Sequence, residues 1–225
     1  MKCSDCSKVV RPIVAIDIDG TIGDYHDHFY HFAELYLGGI TNVAAHRYDG
    51  AASHREFWEG LGVDARTFRD MKLAYRQGGM KRSMPKMPGA SGLMSALRLT
   101  GAEIWLTTTR PYMRLDGVDP DTREWLRRNG IEYDGLLYDK DKYTLLAERV
   151  DPDRVVAVLD DLPEQICSAA AEFGSAIPVW MRGHANSQSR LPGHLDGFIA
   201  EAETRSQASH VICGRVGQWF QTHNN

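Results

Sequence analysis

Long apolar segments, abundant cysteine and a strong excess of one charge are all missing from this sequence. No run approaches the roughly 20 apolar residues of a membrane-spanning helix, and residues 1–12 lack the apolar region of a secretion signal. The formal net charge is −4 over 225 residues, so the overall charge does not favour a nucleic-acid polymer as the main partner. We therefore expect a cytoplasmic globular protein, with no membrane partner, that acts on a small molecule.

The four cysteines are too few and too scattered to form a disulfide framework, which agrees with a reducing compartment. Cys3 and Cys6 form a CxxC pair, which is half of a zinc site or a redox pair. No second CxxC or histidine pair follows at the required spacing. We therefore interpret residues 1–10 as a disordered tail.

Short apolar runs alternate with helix-like segments along most of the chain. The runs have the continuous hydrophobicity of strands buried in a parallel sheet and lie at residues 9–18, 102–108, 155–161 and 175–181, with a weaker candidate at 131–138. The predicted helices cover Ala90–Leu99, Asp121–Asn129, Tyr143–Arg149 and Pro163–Phe173. This alternation predicts right-handed βαβ units and an α/β fold, a three-layer Rossmann-like sandwich around a parallel sheet.

Residues 24–87 interrupt this alternation. They contain no convincing buried strand, but apolar side chains such as Phe29 and Phe32 recur at helical spacing. The segment is too long for an ordinary connection. We predict that it forms a small helical cap inserted after the first strand, and that residues 11–23 and 88–225 form the α/β core.

The sequence after residue 182 gives weaker signals. We expect a loop over residues 183–194, a helix at Leu195–Thr204 and a short amphipathic end at residues 215–225. No chemistry is assigned to this part of the chain.

Polar residues of complementary chemistry follow the predicted strands where each strand ends. They are Asp17 and Asp19, then Thr107, Thr108 and Thr109, then Lys140 and Lys142, and finally Asp160 and Asp161. Ligands of open α/β sheets bind beyond the carboxyl ends of the strands, so these groups are expected to converge. Several carboxylates buried in one crevice are strongly unfavourable unless a cation shares the site. Oxygen ligands of this kind suit Mg²⁺, and lysine and threonine then supply the charge and donors that a phosphoryl group needs.

Taken in order, these residues resemble the four motifs of the haloacid dehalogenase superfamily of phosphohydrolases, over residues 11–182. The resemblance implies that Asp17 is the nucleophile, which forms an aspartyl-phosphate, and that Asp19 is the general acid and base. It also implies that Mg²⁺ binds a carboxylate oxygen of Asp17, the backbone carbonyl of Asp19 and the side chain of Asp160. Asp161 would lie just outside this ligand set.

The same resemblance implies roles for the second and third motifs. Lys142 would stabilise charge on the phosphoryl oxygens, and Thr108 would donate a hydrogen bond to one of them. The stretch TTTRP matches the superfamily pattern T-x-R-P with Thr108 as the motif residue, whereas a shift of one position would select Thr107 or Thr109. We also assign phosphate binding to Gly20, Thr109, Arg110 and Lys140.

A closer resemblance, to the 5′(3′)-deoxyribonucleotidases, lies mainly in the cap. It is carried by Tyr25 after the DxDG motif, by the pair Phe57-Trp58, by Tyr75 upstream of Pro88-Gly89-Ala90, and by Lys140-Asp141-Lys142. The resemblance implies that the aromatic residues surround the base and sugar, where stacking contributes about 1–3 kcal/mol per base. The alternative is that they form the core of the cap. Thr21 and Lys140 depart from the nucleotidase pattern, which has an aliphatic residue and an arginine there.

The cap also carries histidines and basic residues. His26, His28 and His31 lack the carboxylates that would complete a metal site, so we interpret them as exposed or substrate-facing. Three of the basic residues in the cap are Arg76, Lys81 and Arg82. They either guide an anionic substrate or form a solvated basic patch.

Together these features predict a Mg²⁺-dependent phosphomonoesterase that hydrolyses (deoxy)nucleoside monophosphates. One alternative is a 3′-phosphatase that acts on nucleic-acid ends. The predicted cap argues against this alternative, because a lid over the active site would obstruct a polymer. The others are a phosphatase of another small phosphate ester and a non-enzymatic nucleotide-binding protein. The oligomeric state stays open, with a homodimer among the options.

Overall fold

The computed structural model describes residues 10–39, 54–110, 115–183, 189–195 and 197–223. Within these ranges the chain forms one six-stranded sheet. Its strands are β1 (Ile13–Asp17), β2 (Glu103–Thr108), β3 (Gly135–Tyr138), β4 (Val155–Asp160), β5 (Ile177–Met181) and β6 (Ala200–Ala202). All pairings are parallel, in the order β3-β2-β1-β4-β5-β6. The predicted α/β fold with a Rossmann-like parallel sheet is confirmed.

The helices in the described ranges are α1 (Tyr25–Tyr36), α2 (His54–Gly60), α3 (Ala65–Gln77), α4 (Ala90–Leu99), α5 (Val118–Arg128), α6 (Lys142–Arg149), α7 (Pro163–Glu172) and α8 (Arg205–His223). None of them is both long and apolar enough to cross a membrane. Helices α4, α5 and α8 cover one face of the sheet, and α6 and α7 cover the other.

Burial on both faces of the sheet explains why the sequence of strand β1 is a continuous apolar run. Val14 and Ile16 pack in the cluster that includes α4, α5 and α8, whereas Ile13 and Ala15 pack in the cluster that includes α6. Successive side chains of a strand point to opposite faces, and here both faces are covered. Every residue of β1 is therefore buried, including Asp17 at its carboxyl end.

We call residues 24–87 the cap. Its helices α1, α2 and α3 share a hydrophobic cluster separate from those of the sheet, formed by Phe29, Tyr30, Ala33, Phe57, Trp58, Val63, Met71 and Tyr75. The outgoing and returning chains are joined where the cap meets the core. The Asp24 amide donates to the Pro85 carbonyl at 2.8 Å, and the Met87 amide donates to the Ile22 carbonyl at 2.9 Å. The start of the cap therefore lies close to the end of β1.

The carboxyl-terminal region differs from the prediction. The helix expected at Leu195–Thr204 is wrong: the segment contains strand β6, which pairs with β5 through Val179–Ala200 and Met181–Ala202. Alanine and glutamate favour a helix, but pairing at the open edge of the sheet overrides this local preference. The short amphipathic end belongs to α8, a helix of 19 residues. Cys3 and Cys6 lie outside the described residues.

Candidate active site

Three carboxylates meet where the order of the strands reverses. Asp17 ends β1, Asp160 ends the neighbouring strand β4, and Asp161 follows directly. One carboxylate oxygen from each lies within 4.8 Å of the others. All three residues are buried, with 4%, 0% and 5% of their surface exposed. The fold therefore brings together the carboxylates of Asp17 and Asp160, which the sequence assigned to metal binding, and that of Asp161, which it placed just outside the ligand set.

Lys142, the first residue of α6, supplies a positive charge inside this cluster. Its Nζ donates to Asp17 Oδ1 at 2.5 Å and lies 2.6 Å from Asp160 Oδ2. Burial by itself lowers the pKa of Lys142, but Asp160 and Asp17 outweigh it and raise this pKa above its ordinary value. Lys142 is therefore a fully buried ammonium ion held between two carboxylates.

The other oxygen of Asp17 has no such partner. Asp17 Oδ2 is buried and accepts no hydrogen bond from the described residues. Burial raises the pKa of the Asp17 carboxyl, and the negative charges of Asp160 and Asp161 raise it further, whereas Lys142 opposes them. Three carboxylates buried together are strongly unfavourable, and a cation beside them would remove that penalty. The residues present therefore fit a divalent metal ion with oxygen ligands.

Neighbouring groups orient Asp160 and Asp161. Tyr143 donates its hydroxyl to Asp160 Oδ2 at 2.6 Å, and the Leu162 amide donates to Asp160 Oδ1 at 2.9 Å. The Trp180 indole donates to the Asp161 carbonyl at 2.9 Å. These contacts hold the Asp160 carboxylate and the Asp161 backbone in one orientation. No sequence motif singled out Tyr143, because its role depends on the tertiary contact between α6 and the end of β4.

Asp19 lies between two cations. Arg110 donates from Nε to Asp19 Oδ2 at 2.9 Å and from Nη2 to Asp19 Oδ1 at 2.5 Å, and Lys81 donates to Asp19 Oδ2 at 2.6 Å. Burial raises the pKa of the Asp19 carboxyl, but Arg110 and Lys81 outweigh it and hold this pKa well below its usual range. Arg110 also donates to Thr122 Oγ1 at 2.6 Å. Asp19 is therefore a carboxylate anion in this conformation.

Lys81 comes from the cap, in a short 3₁₀ turn at Met80–Arg82. It is only 3% exposed, so the solvated-patch interpretation of this residue is wrong. Its Nζ lies 3.9 Å from the ring centroid of Tyr25 and 5.5 Å from that of Tyr75. Burial lowers the pKa of Lys81 to about 7, although the charge of Asp19 opposes this shift. In contrast, Arg82 is partly exposed and pairs with Asp121 of α5.

The other predicted phosphate-binding residues differ in burial. Thr107 pairs with Asp17 in the strand register and is fully buried, and Thr108 is 1% exposed. Thr109 and Lys140 are exposed, so their assignment stays a prediction. Gly20 has a φ of +91°, and a Cβ there would lie 2.2 Å from Asp161 Oδ2. The turn after Asp19 therefore requires glycine at this position.

The predicted substrate-binding aromatics fall into two groups. Phe57 and Trp58 are 7% and 0% exposed and pack inside the cap. The Trp58 ring centroid lies 5.7 Å from that of Phe29. In this conformation the Trp58 side chain belongs to the core of the cap, as the alternative interpretation expects, and its role as a substrate contact stays a prediction. Tyr75 is 1% exposed and belongs to the same cap cluster, and its ring, like that of the half-buried Tyr25, borders Lys81 and through it Asp19.

Two of the cap histidines contact Asp161 and Tyr75. His26 Nε2 lies 3.4 Å from Asp161 Oδ2, and His28 Nδ1 lies 2.7 Å from the Tyr75 hydroxyl. His31 is exposed. The pair His26–Asp161 thus joins α1 of the cap to the carboxylate cluster of the core.

Comparison with known proteins identifies the fold. No protein-family model matches the chain, and no curated protein matches its sequence. Solved structures do match. A predicted phosphatase from Clostridium acetobutylicum has a TM-score of 0.62 and 13% identity, covering 91% of this chain and 99% of that chain. The HAD-hydrolase YfnB from Bacillus subtilis, bound to magnesium, has a TM-score of 0.61 and 15% identity, covering 90% and 98%.

A HAD family hydrolase from Deinococcus radiodurans R1, with bound phosphate and sodium, is also similar. Its TM-score is 0.58 at 16% identity, and the match covers 92% of this chain and 97% of that chain. At these identities the likeness concerns the fold. The chain therefore has the α/β fold of the haloacid dehalogenase-like hydrolases.

Proposed function

We propose that this protein is a metal-dependent phosphatase of small phosphate esters in which Asp17 is the nucleophile. The observation that carries this proposal is the state of the Asp17 carboxylate. Lys142 holds Oδ1, whereas Oδ2 is buried without a hydrogen-bond partner among the described residues. One oxygen is thus fixed and the other is available to react.

The proposed reaction has two steps. Asp17 Oδ2 attacks the phosphorus while the bond from phosphorus to the ester oxygen breaks, and the leaving oxygen takes a proton from Asp19. Water then gives a proton to Asp19 and attacks the phosphorus of the aspartyl-phosphate, while the bond from phosphorus to Asp17 Oδ2 breaks. This frees Asp17 and releases inorganic phosphate. Lys142 lies against Asp17, where its charge would stabilise the phosphoryl oxygens.

Asp19 is the proposed acid and base, but it is an anion between Lys81 and Arg110 in this conformation. To give a proton to the leaving oxygen it must first gain one. A phosphate dianion competes with Asp19 for the same two cations. We therefore propose that substrate binding draws Lys81 or Arg110 away from Asp19, so that the carboxyl becomes protonated more readily.

Mg²⁺ is the metal we propose. Asp17, Asp160 and the backbone carbonyl of Asp19 would hold it, with Asp161 alongside. When bound, it would neutralise and orient the phosphate. The buried carboxylates support this choice, and YfnB, which shares the fold, was solved with magnesium.

For the substrate we propose a (deoxy)nucleoside monophosphate. Tyr25 supports this, because its half-buried ring has its centroid 3.9 Å from Lys81 Nζ, beside Asp19. Tyr75 borders the same lysine from within the cap core. A cavity of about 310 Å³ lies between Arg76 and Gln77 of α3 and residues 115–117. The burial of Phe57 and Trp58 in the cap favours a second candidate, which is another small phosphate ester with less aromatic contact.

Phosphate release tests the proposal and separates the two candidates. We would compare ribo- and deoxyribonucleoside monophosphates, simple phosphate esters and a 3′-phosphorylated oligonucleotide, with Mg²⁺ and with a chelator. Asp17→Asn should abolish release, and Asp70→Asn, a change at an exposed residue of α3, should not. Release from deoxynucleotides supports the first candidate, and release from simple esters alone supports the second. Failure to release phosphate from every substrate would contradict the phosphatase proposal, and nucleotide binding without turnover would identify a binding protein.

A further inference from the structure

The side chain of Arg205, the first residue of α8, binds the turn that follows Asp19. Its Nη2 donates to the Gly20 carbonyl and its Nε donates to the Thr21 carbonyl, both at 3.0 Å. The arginine is 184 residues away from Thr21 in the sequence. Two N–H groups of one guanidinium, at Nε and Nη2, thus donate to two successive carbonyls of the turn.

This turn follows Asp19, and hydrogen bonds of its own backbone and of the returning chain at Met87 also hold it. Glycine stands at both of its ends, as Gly20 and Gly23. The Gly20 amide donates to the Gly23 carbonyl at 2.8 Å, and the Gly23 amide donates to the Ile18 carbonyl at 2.8 Å. Gly20 and Thr21 are buried. Without Arg205 their carbonyls would lose a charged donor in a place where water does not readily replace it.

The same turn lies against the carboxylate cluster. A Cβ on Gly20 would lie 2.2 Å from Asp161 Oδ2, so a small movement of the turn changes its contact with Asp161. The side chain of Asp19 is held from the other direction by Lys81 and Arg110. The position of Asp19 therefore depends both on its side-chain partners and on the backbone that Arg205 holds.

The chemistry of this contact is specific to arginine. A guanidinium presents its donors in a rigid fork, whereas a lysine ammonium is a single point charge on a flexible stem. Two successive carbonyls at equal distances match the fork. A lysine at this position would keep the charge and lose the double contact.

We propose that Arg205 is a positioning residue for the reaction, which makes the start of α8 part of the active site. This inference rests on the proposed phosphatase function, because it assumes that Asp19 acts on the substrate. Arg205 hydrogen-bonds to the backbone of the turn and not to the side chain of Asp17 or Asp19. It acts by holding the turn at Gly20–Gly23, and thereby Asp19, in place.

The test compares Arg205→Met and Arg205→Lys with Arg215→Met. Arg215 lies on the same helix and also donates to a backbone carbonyl, that of Ser175, in a different loop. A displacement of about 1 Å at a catalytic group can lower a rate about 100-fold. We expect Arg205→Met to lower kcat about 10- to 100-fold, with KM changed less than about threefold. The kcat of Arg205→Lys should lie between that of Arg205→Met and that of the wild type. Arg215→Met should keep the wild-type kcat.

Hydrogen exchange gives a readout that does not require activity. In Arg205→Met the amides of residues 20–23 should exchange faster, while those of β4 keep their wild-type rates. In Arg215→Met the amides of residues 20–23 should be unchanged. If the wild type hydrolyses no phosphate ester, the proposed function fails and this exchange result alone decides whether Arg205 holds the turn.

Three results would overturn the inference. The first is unchanged exchange at residues 20–23 in Arg205→Met. The second is a wild-type kcat in Arg205→Met when the wild type is an active phosphatase. The third is an equal loss of kcat in Arg215→Met, which would mean that general weakening of α8 explains the effect.

Discussion

Lys81 of the cap donates to Asp19 of the core at 2.6 Å, in a place where only 3% of the lysine surface is exposed. The cap therefore supplies a charge to the residue proposed as the general acid and base. This contact ties the position of the cap to the electrostatics of the site, and both should respond when Lys81 is changed.

Replacing Lys81 by methionine should alter the pH dependence of stability. Burial lowers the pKa of Lys81 from its ordinary 10.5 to about 7 in the folded protein. Between these values the unfolded chain binds a proton that the folded chain does not, so the free energy of unfolding should rise with pH. The wild type should gain up to about 1.4 kcal/mol per pH unit relative to Lys81→Met. Urea unfolding from pH 7 to pH 10 measures this, and parallel curves would contradict it.

Replacing Lys142 by methionine should destabilise the protein strongly. The change leaves Asp17 and Asp160 without the ammonium that both contact, and removing one partner of a buried ion pair costs about 3–5 kcal/mol. The loss should be smaller with Mg²⁺ present, because a cation then shares the carboxylate cluster. Chemical unfolding with a chelator and with Mg²⁺ measures both values. A loss that is unaffected by Mg²⁺ would argue against metal binding here.

Mg²⁺ should stabilise the wild type through the carboxylate cluster. A ligand at 100 times its Kd raises the free energy of unfolding by about 3 kcal/mol. Asp160→Asn should abolish this gain, because Asp160 is one of the three clustered carboxylates. Asp70→Asn, at an exposed residue of α3, should retain it. Thermal unfolding as a function of Mg²⁺ concentration gives the comparison, and an equal gain in Asp160→Asn would place the metal elsewhere.

The threonines at the end of β2 can be separated by matched substitutions. The match to T-x-R-P predicts that the Thr108 hydroxyl donates to the phosphate, so Thr108→Val should lower kcat about 100-fold, as expected for one lost transition-state donor. Thr107→Val removes the same hydroxyl one residue earlier and should have a smaller effect. Steady-state kinetics on the best substrate measures both. The reverse order would identify Thr107, which pairs with Asp17 in the sheet.

The cap aromatics should separate into structural and substrate-facing residues. Trp58→Ala should lower the free energy of unfolding by about 3–5 kcal/mol, because it leaves a cavity in the core of the cap. Tyr25→Leu should instead raise KM for nucleotides more than for simple phosphate esters. Unfolding curves and KM values for both substrate types test this. A Tyr25→Leu enzyme with unchanged preference would favour the simple-ester candidate.

Much of the fold was predictable because the signals are local. Residues 102–108 and 155–161 read as buried strands, and β2 and β4 form there. The helix at Ala90–Leu99 has the predicted bounds. The edge strand β6 was missed, since its three residues are too short to show a strand period and its pairing with β5 involves a distant part of the chain.

The amino-acid sequence by itself determined the α/β architecture and the set of carboxylates at the strand ends, because apolar periodicity and motif spacing are properties of neighbouring residues. Only the tertiary structure decided which side chains from distant parts of the chain contact these carboxylates and the turn beside them. The sequence left Lys81 as either a guide for an anionic substrate or a solvated residue, and the structure buries it against Asp19. The sequence likewise left Trp58 as either a substrate contact or part of the cap core, and the structure packs it in the cap cluster. Arg205 carries no motif and binds the turn after Asp19. These roles arise from packing between remote segments, which local sequence patterns do not record.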